Sequence, residues 1–127
     1  MTNDLMGFTT KNKTIDIHER ILNFVVRVLK LLKEIPKTPE NLIIINQITR
    51  SVTSVGANDR EADGASTKRD FIHCYTIVRK ELNETDYWLT IIAEVNPRLK
   101  SRMNGLLKES KELVKIVSTI VYRAKTH

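Results

Sequence analysis

Two carboxylates, Glu81 and Glu84, stand three residues apart in a helical stretch, on one face and close enough for acid–base work if buried. Three histidines, His18, His73 and His127, are scattered along the chain, and neither Glu81 nor Glu84 has a histidine three positions on. That spacing excludes the Glu-x-x-His pairs of a carboxylate-bridged di-metal bundle. His73 and Cys74 are adjacent, so on a helix they project about 100° apart and form a poor chelate. Cys74 could act as a nucleophile only beside a positioned base, and none is indicated. Gly56 and Gly64 stand alone, so no glycine-rich phosphate loop exists. The residues therefore point to no catalytic site, no metal and no cofactor, and no small-molecule substrate is expected.

A different grouping is more informative. Gln47, Arg50, Ser51, Ser54, Asn58 and Glu61 recur at helical spacing beside an apolar stripe, and Arg79, Lys80, Glu81, Glu84, Tyr87 and Trp88 follow similarly in a later segment. Both stripes could simply face water. If they meet, within the chain or between copies, Arg50 would pair with Glu81 or Glu84 and Asn58 would tie Glu61. Ser54 and Trp88 complete the candidate interface. Aromatic residues and arginine are enriched where protein surfaces associate.

Charge is distributed unevenly. Residues 1–96 carry thirteen basic and thirteen acidic side chains, whereas residues 97–127 carry eight basic against two acidic, so the whole net charge of +6 lies in the last quarter. Arg98, Lys100, Arg102, Lys108, Lys111 and Lys115 are candidate contacts to RNA or DNA phosphates.

The elements that must position these residues follow from apolar spacing. Ile17, Ile21, Phe24, Val28, Leu31 and Ile35 alternate at four and three, predicting a helix from about Ile17 to Glu34. Asp16 with Glu19 resembles a capping box, and Pro36 stops the helix. Thr38 and Pro39 open a second helix, from about Glu40 to Ala62, with Leu42, Ile45, Ile48, Val52 and Val55 inward and Gly64 beyond its end. Its small residues Ser51, Thr53, Ser54, Gly56 and Ala57 would let a neighbouring backbone approach closely. Ser66 or Thr67 caps a third helix whose core is Phe71, Tyr75, Val78, Leu82, Thr85, Leu89 and Ile92, ending at Asn96-Pro97. A fourth, roughly Lys100 to Lys125, repeats through Met103, Leu106, Ser110, Leu113, Val117, Ile120 and Ala124, with Gly105 weakening its first turns.

Short links favour antiparallel neighbours, so the expected fold is an all-α, antiparallel up-down-up-down four-helix bundle over residues 15–127, after a flexible N-terminal tail at 1–14. No apolar run approaches the roughly 18 residues a membrane span needs. The tail lacks the apolar core of a secretory signal. One cysteine allows no intrachain disulfide. The expected location is cytoplasmic, without membrane association.

The stretch from Gln47 to Ala62, QITRSVTSVGANDREA, resembles the hallmark of the 23S rRNA intervening-sequence protein family, also called the S23 family. KRDFIH at 68–73, IVRKE at 77–81 and ETDYWL at 84–89 are similar to its second signature, and LKEIPKTPEN at 32–41 to its first link. The resemblance covers residues 16–125. It implies a four-helix bundle assembled as a homopentamer, and it does not imply an activity. It extends distantly to the accessory protein of diversity-generating retroelements, a basic pentameric bundle that binds nucleic acid and a reverse transcriptase. Asp59 departs from the pattern, since many relatives carry an aromatic residue there.

Overall fold

A computed structural model describes residues 9–10, 13–14 and 16–127. Thr9–Thr10 (β1) and Lys13–Thr14 (β2) pair antiparallel, Thr9 opposite Thr14. The rest of the expected N-terminal tail lies outside the described residues. Four helices follow: α1 at Ile17–Leu32, α2 at Pro39–Asp63, α3 at Lys68–Val95 and α4 at Pro97–Thr126.

Three helix starts are fixed by side chains that satisfy otherwise orphaned backbone N–H groups. Asp16 accepts from the His18 amide, Thr38 from Asn41 with Pro39 at the first helical position, and Thr67 from Asp70. Long-range partners give the directions. The start of α1 meets the end of α2 at His18 and Asp59, while the end of α2 meets the start of α3 at Asp59 and Tyr75. Asn41 at the start of α2 meets Asn96 after α3. Arg20 and Glu34 of the α1 segment meet Glu109 and Arg102 of α4 in reversed order. The bundle is therefore antiparallel, up-down-up-down, as the spacing predicts. Among neighbouring helices, contact is most extensive between α2 and α3 and least between α1 and α4.

One core runs the length of the bundle. Ile17, Ile21, Phe24 and Val28 of α1 are fully enclosed with Ile48, Val52 and Val55 of α2, Tyr75 to Ile92 of the α3 heptad, and Leu113 and Val117 of α4. Each of the aliphatic and phenylalanine side chains among them contributes roughly 1.5–3 kcal/mol on leaving water.

The departures from expectation have local causes. α1 ends at Leu32 rather than Glu34. The N–H groups of Lys33, Glu34 and Ile35 bond three residues back, which tightens the chain, and Lys37 Nζ donates to the carbonyls of Leu32 and Ile35 at 3.0 and 2.9 Å. Leu32 rather than Leu31 therefore completes the buried face. In α2, Leu42 is 46 % exposed, and Asn41, only 2 % exposed, takes the inward position with Ile44. The asparagine is tolerated there because it exchanges both amide bonds with Asn96, at 2.9 and 3.1 Å, and donates also to the Pro36 carbonyl. α4 begins at Pro97, not Lys100. Asn96 ends α3 and starts α4, so a single residue makes the whole connection. Pro97 suits the first helical position, and packing overrides the weak propensity of Gly105.

Candidate nucleic-acid interface and the polar networks of the bundle

The seven residues expected to form an interface lie on the α2–α3 flank. Arg50 is the hub. It pairs with Glu84, reaches Glu81 at 3.4 Å and donates to Gln47 at 3.3 Å. Trp88 Nε1 donates to the same Glu84 carboxylate at 3.1 Å. These contacts join two helices of one chain, so the Arg50 charge already has its counterions without a partner copy. Asn58 does not tie Glu61, as the spacing suggested. Its amide turns back one helical turn to the Ser54 carbonyl and hydroxyl, at 2.9 and 3.2 Å, and Glu61 is left exposed. One turn deeper, the buried Ser51 and Thr85 hydroxyls meet at 2.8 Å. The small residues do bring helices close, but toward two neighbours: Ser51 faces α3, whereas a Cβ on Gly56 would meet Val25 of α1 at 3.4 Å.

All six candidate phosphate contacts on α4 are exposed. At about 100° per residue they spread over an arc of about 200°, so they do not share one narrow face. They also differ in their partners. Lys100 pairs with Glu94 at 2.8 Å, Arg102 pairs with Glu34, and Lys111 reaches Asp86 at 3.2 Å beside the buried Ser110. Arg98, Lys108 and Lys115 have no carboxylate at ion-pair distance among the described residues. Charge counting did not anticipate the contribution of α1. Arg27 and Lys30 line a shallow groove beside Arg102 on α4, and the Arg27 guanidinium lies 3.5 Å from where a Cβ on Gly105 would sit. Both escaped notice because the first 96 residues balance as a whole. The periodicity that turns Phe24, Val28 and Leu32 inward turns Arg27 and Lys30 outward, and that signal was available.

A second feature was also missed. Asp59 is 5 % exposed, at the inward phase of α2 one turn after Val55. It accepts from the Tyr75 hydroxyl at 2.5 Å and from His18 Nδ1 at 2.8 Å, while His18 Nε2 lies 3.2 Å from Asp63. Three helices thus converge on one carboxylate. The hydrogen bond to Asp59 raises the His18 pKa against the opposing effect of burial, with Asp59, Asp63 and Asp16 adding attraction. Burial and the Asp59 charge push the Tyr75 phenol well above its ordinary value. The cluster opens on a cavity of about 580 Å³ lined also by Glu19, Leu22, Val25 and Arg60. Both imidazole nitrogens face carboxylates, which favours the imidazolium and leaves no free lone pair to take a proton. The departure at Asp59 noted in the sequence is therefore a buried tie; its inward phase after Val55 follows from spacing, but its partners His18 and Tyr75 stand on other helices.

Cys74 is buried and free, and burial together with Glu61 and Asp70 holds its pKa above the ordinary thiol value, opposite to an activated nucleophile. Glu81 and Glu84 are committed to Arg50. Among the described residues, no cluster of three or more His, Cys, Asp or Glu side chains is placed to hold a metal ion, and no helix is long and apolar enough to cross a membrane.

Comparison with known proteins places this geometry. Nothing among the curated proteins matches the chain. A crystal structure of a protein of unknown function from the S23 ribosomal protein family of Bacteroides thetaiotaomicron is similar, with a TM-score of 0.74 and 33 % identity over 84 % of this chain and 95 % of that one. The pattern of the 23S rRNA-intervening sequence proteins matches residues 13–119, which takes in the polar flank, the Asp59 tie and most of α4. On these grounds the chain belongs to the 23S rRNA-intervening sequence protein family.

Proposed function

We propose that the protein is a non-enzymatic RNA-binding bundle of the cytoplasm that assembles as a homopentamer, with α4 facing the nucleic acid. The observation that carries the reading is the division among the α4 cations. Arg98, Lys108 and Lys115 are exposed and lack carboxylate partners among the described residues, and Arg27 and Lys30 add positive charge along the α1–α4 groove beside the Arg102–Glu34 pair. Cations without counterions gain most from phosphate, because contact releases the ions condensed on the nucleic acid. Assembly would place five such surfaces on one particle, and avidity would multiply a weak single-chain affinity.

The α2–α3 flank supports self-association. On the helices that carry Arg50, Glu84 and Trp88, Ile43, Tyr87 and Val95 are 64, 56 and 45 % exposed, apolar surface that a partner copy would cover. The same observation favours a second reading, a protein-interaction module that takes no nucleic acid.

A filter-binding titration with a structured RNA across 50–200 mM salt separates the two. Binding should weaken steeply with salt, and the pair Lys108→Ala, Lys115→Ala should lower affinity roughly tenfold and reduce the slope of log K against log salt by about 2. Absence of binding at the lowest salt would leave only the second reading standing.

A further inference from the structure

The α4 surface carries more than charge. Tyr122 is 67 % exposed, the most open of the large apolar side chains in the described structure. Lys108, Lys115 and Tyr122 follow one another at intervals of seven. Seven residues turn a helix by about 700°, so the three point outward within about 40° of one another, spaced about 10.5 Å apart along the axis. Lys115 lies two turns before the ring, Arg123 beside it, and Lys125 on the following turn. None of the three has a carboxylate at ion-pair distance among the described residues. Glu112 borders the row one turn from Lys108 and from Lys115 but pairs with neither.

An open aromatic ring among unpaired cations suits a strand that offers phosphates and a free base face together. A second copy docking by a two-fold contact here would bring Lys115, Arg123 and Lys125 against themselves. A fully paired RNA duplex would meet the cations, but its bases are stacked on each other and closed to the ring.

We infer that Tyr122 is a stacking platform for an unpaired base, so that α4 prefers single-stranded segments or loops to continuous duplex. This rests on the nucleic-acid reading above and adds to it a choice of strand state. Stacking needs no 2′-hydroxyl, so the ring should serve single-stranded RNA and DNA alike.

The test is fluorescence anisotropy on the full chain with labelled 12-nucleotide single-stranded RNA, the same sequence as DNA, and the matching RNA duplex. Tyr122→Ala should lose about tenfold on both single strands and leave duplex affinity and the salt slope unchanged, with Tyr122→Phe close to wild type. Lys115→Ala should weaken all three probes and lower the salt slope. Single-strand binding unaltered in Tyr122→Ala, or an equal loss on duplex, would overturn the platform while leaving RNA binding intact. A fall in particle mass of Tyr122→Ala in sedimentation would also overturn it, assigning the ring to contact between copies. Wild-type protein that binds none of the probes would remove the nucleic-acid reading and the platform with it.

Discussion

The two ends of the polarity scale in this molecule behave oppositely. Around Asp59 and the Ser51–Thr85 pair, polar groups are enclosed and answer one another, and no buried side-chain nitrogen or oxygen among the described residues lacks a partner. Along the outer side of α4, Lys108 and Lys115 have no carboxylate partner among the described residues. Between them lies the α2–α3 flank, where Arg50 is half-exposed yet paired. A formal charge or hydroxyl therefore tells little until its counterpart is known. Buried polar pairs fix which turn of one helix lies beside which turn of the next, whereas an unpaired surface cation leaves the fold indifferent and the surface available.

Three changes would break or sharpen that contrast. The largest effect should come from Asp59→Ala. Removing the shared acceptor leaves the enclosed Tyr75 hydroxyl and His18 Nδ1 unsatisfied, and urea denaturation should show a loss of about 2–3 kcal/mol with no change in nucleic-acid affinity. A loss below about 0.5 kcal/mol would mean the tie is ornamental. Arg50→Ala should be milder. Its ion pairs are half in water, so the expected loss of stability is below about 1 kcal/mol, while light scattering should report a smaller particle if the flank joins copies. Unchanged mass would withdraw Arg50 from assembly.

The smallest effect is that of pH on His18. Its folded pKa lies above the unfolded value of 6.5, so its contribution is fully present below pH 6.5 and is lost as pH rises through the raised folded value. The facing groups are Asp16, which caps α1, Glu19 from α1, Asp59, Arg60 and Asp63 from α2, and Tyr75 from α3, which stays protonated throughout this range. Urea midpoints taken from pH 6 to 9 should decline more for wild type than for His18→Gln. Parallel curves would show that the imidazole carries no net charge interaction.

The helices were legible because three of the four bury an apolar stripe at strict three-and-four spacing, and because Thr38, Thr67 and Pro39 punctuate it. α2 was read one position out of phase at its start. Asn41 looks like a surface residue until Asn96, fifty-five positions away in sequence, is placed opposite it. The Arg50–Glu84 pairing was readable from complementary stripes, since both partners sit on helices joined by a short link. The tie at Asp59 was not, because it needs a third helix: His18 of α1 approaches only once α2 and α3 have packed. Arg27 and Lys30 were hidden by summing charge along the chain instead of around each helix.

The connection made by Asn96 alone has a consequence for engineering. Inserting or deleting one residue there would turn all of α4 by about 100° about its axis, carrying Lys108 toward the interior and a core position toward solvent. The segments at 33–38 and 64–67 could absorb a tag, a reporter or new termini by circular permutation, because their added length need not be transmitted to a helix. Residue 96 could not, so the register of the cationic helix is set by one peptide unit and cannot drift independently of the rest of the protein.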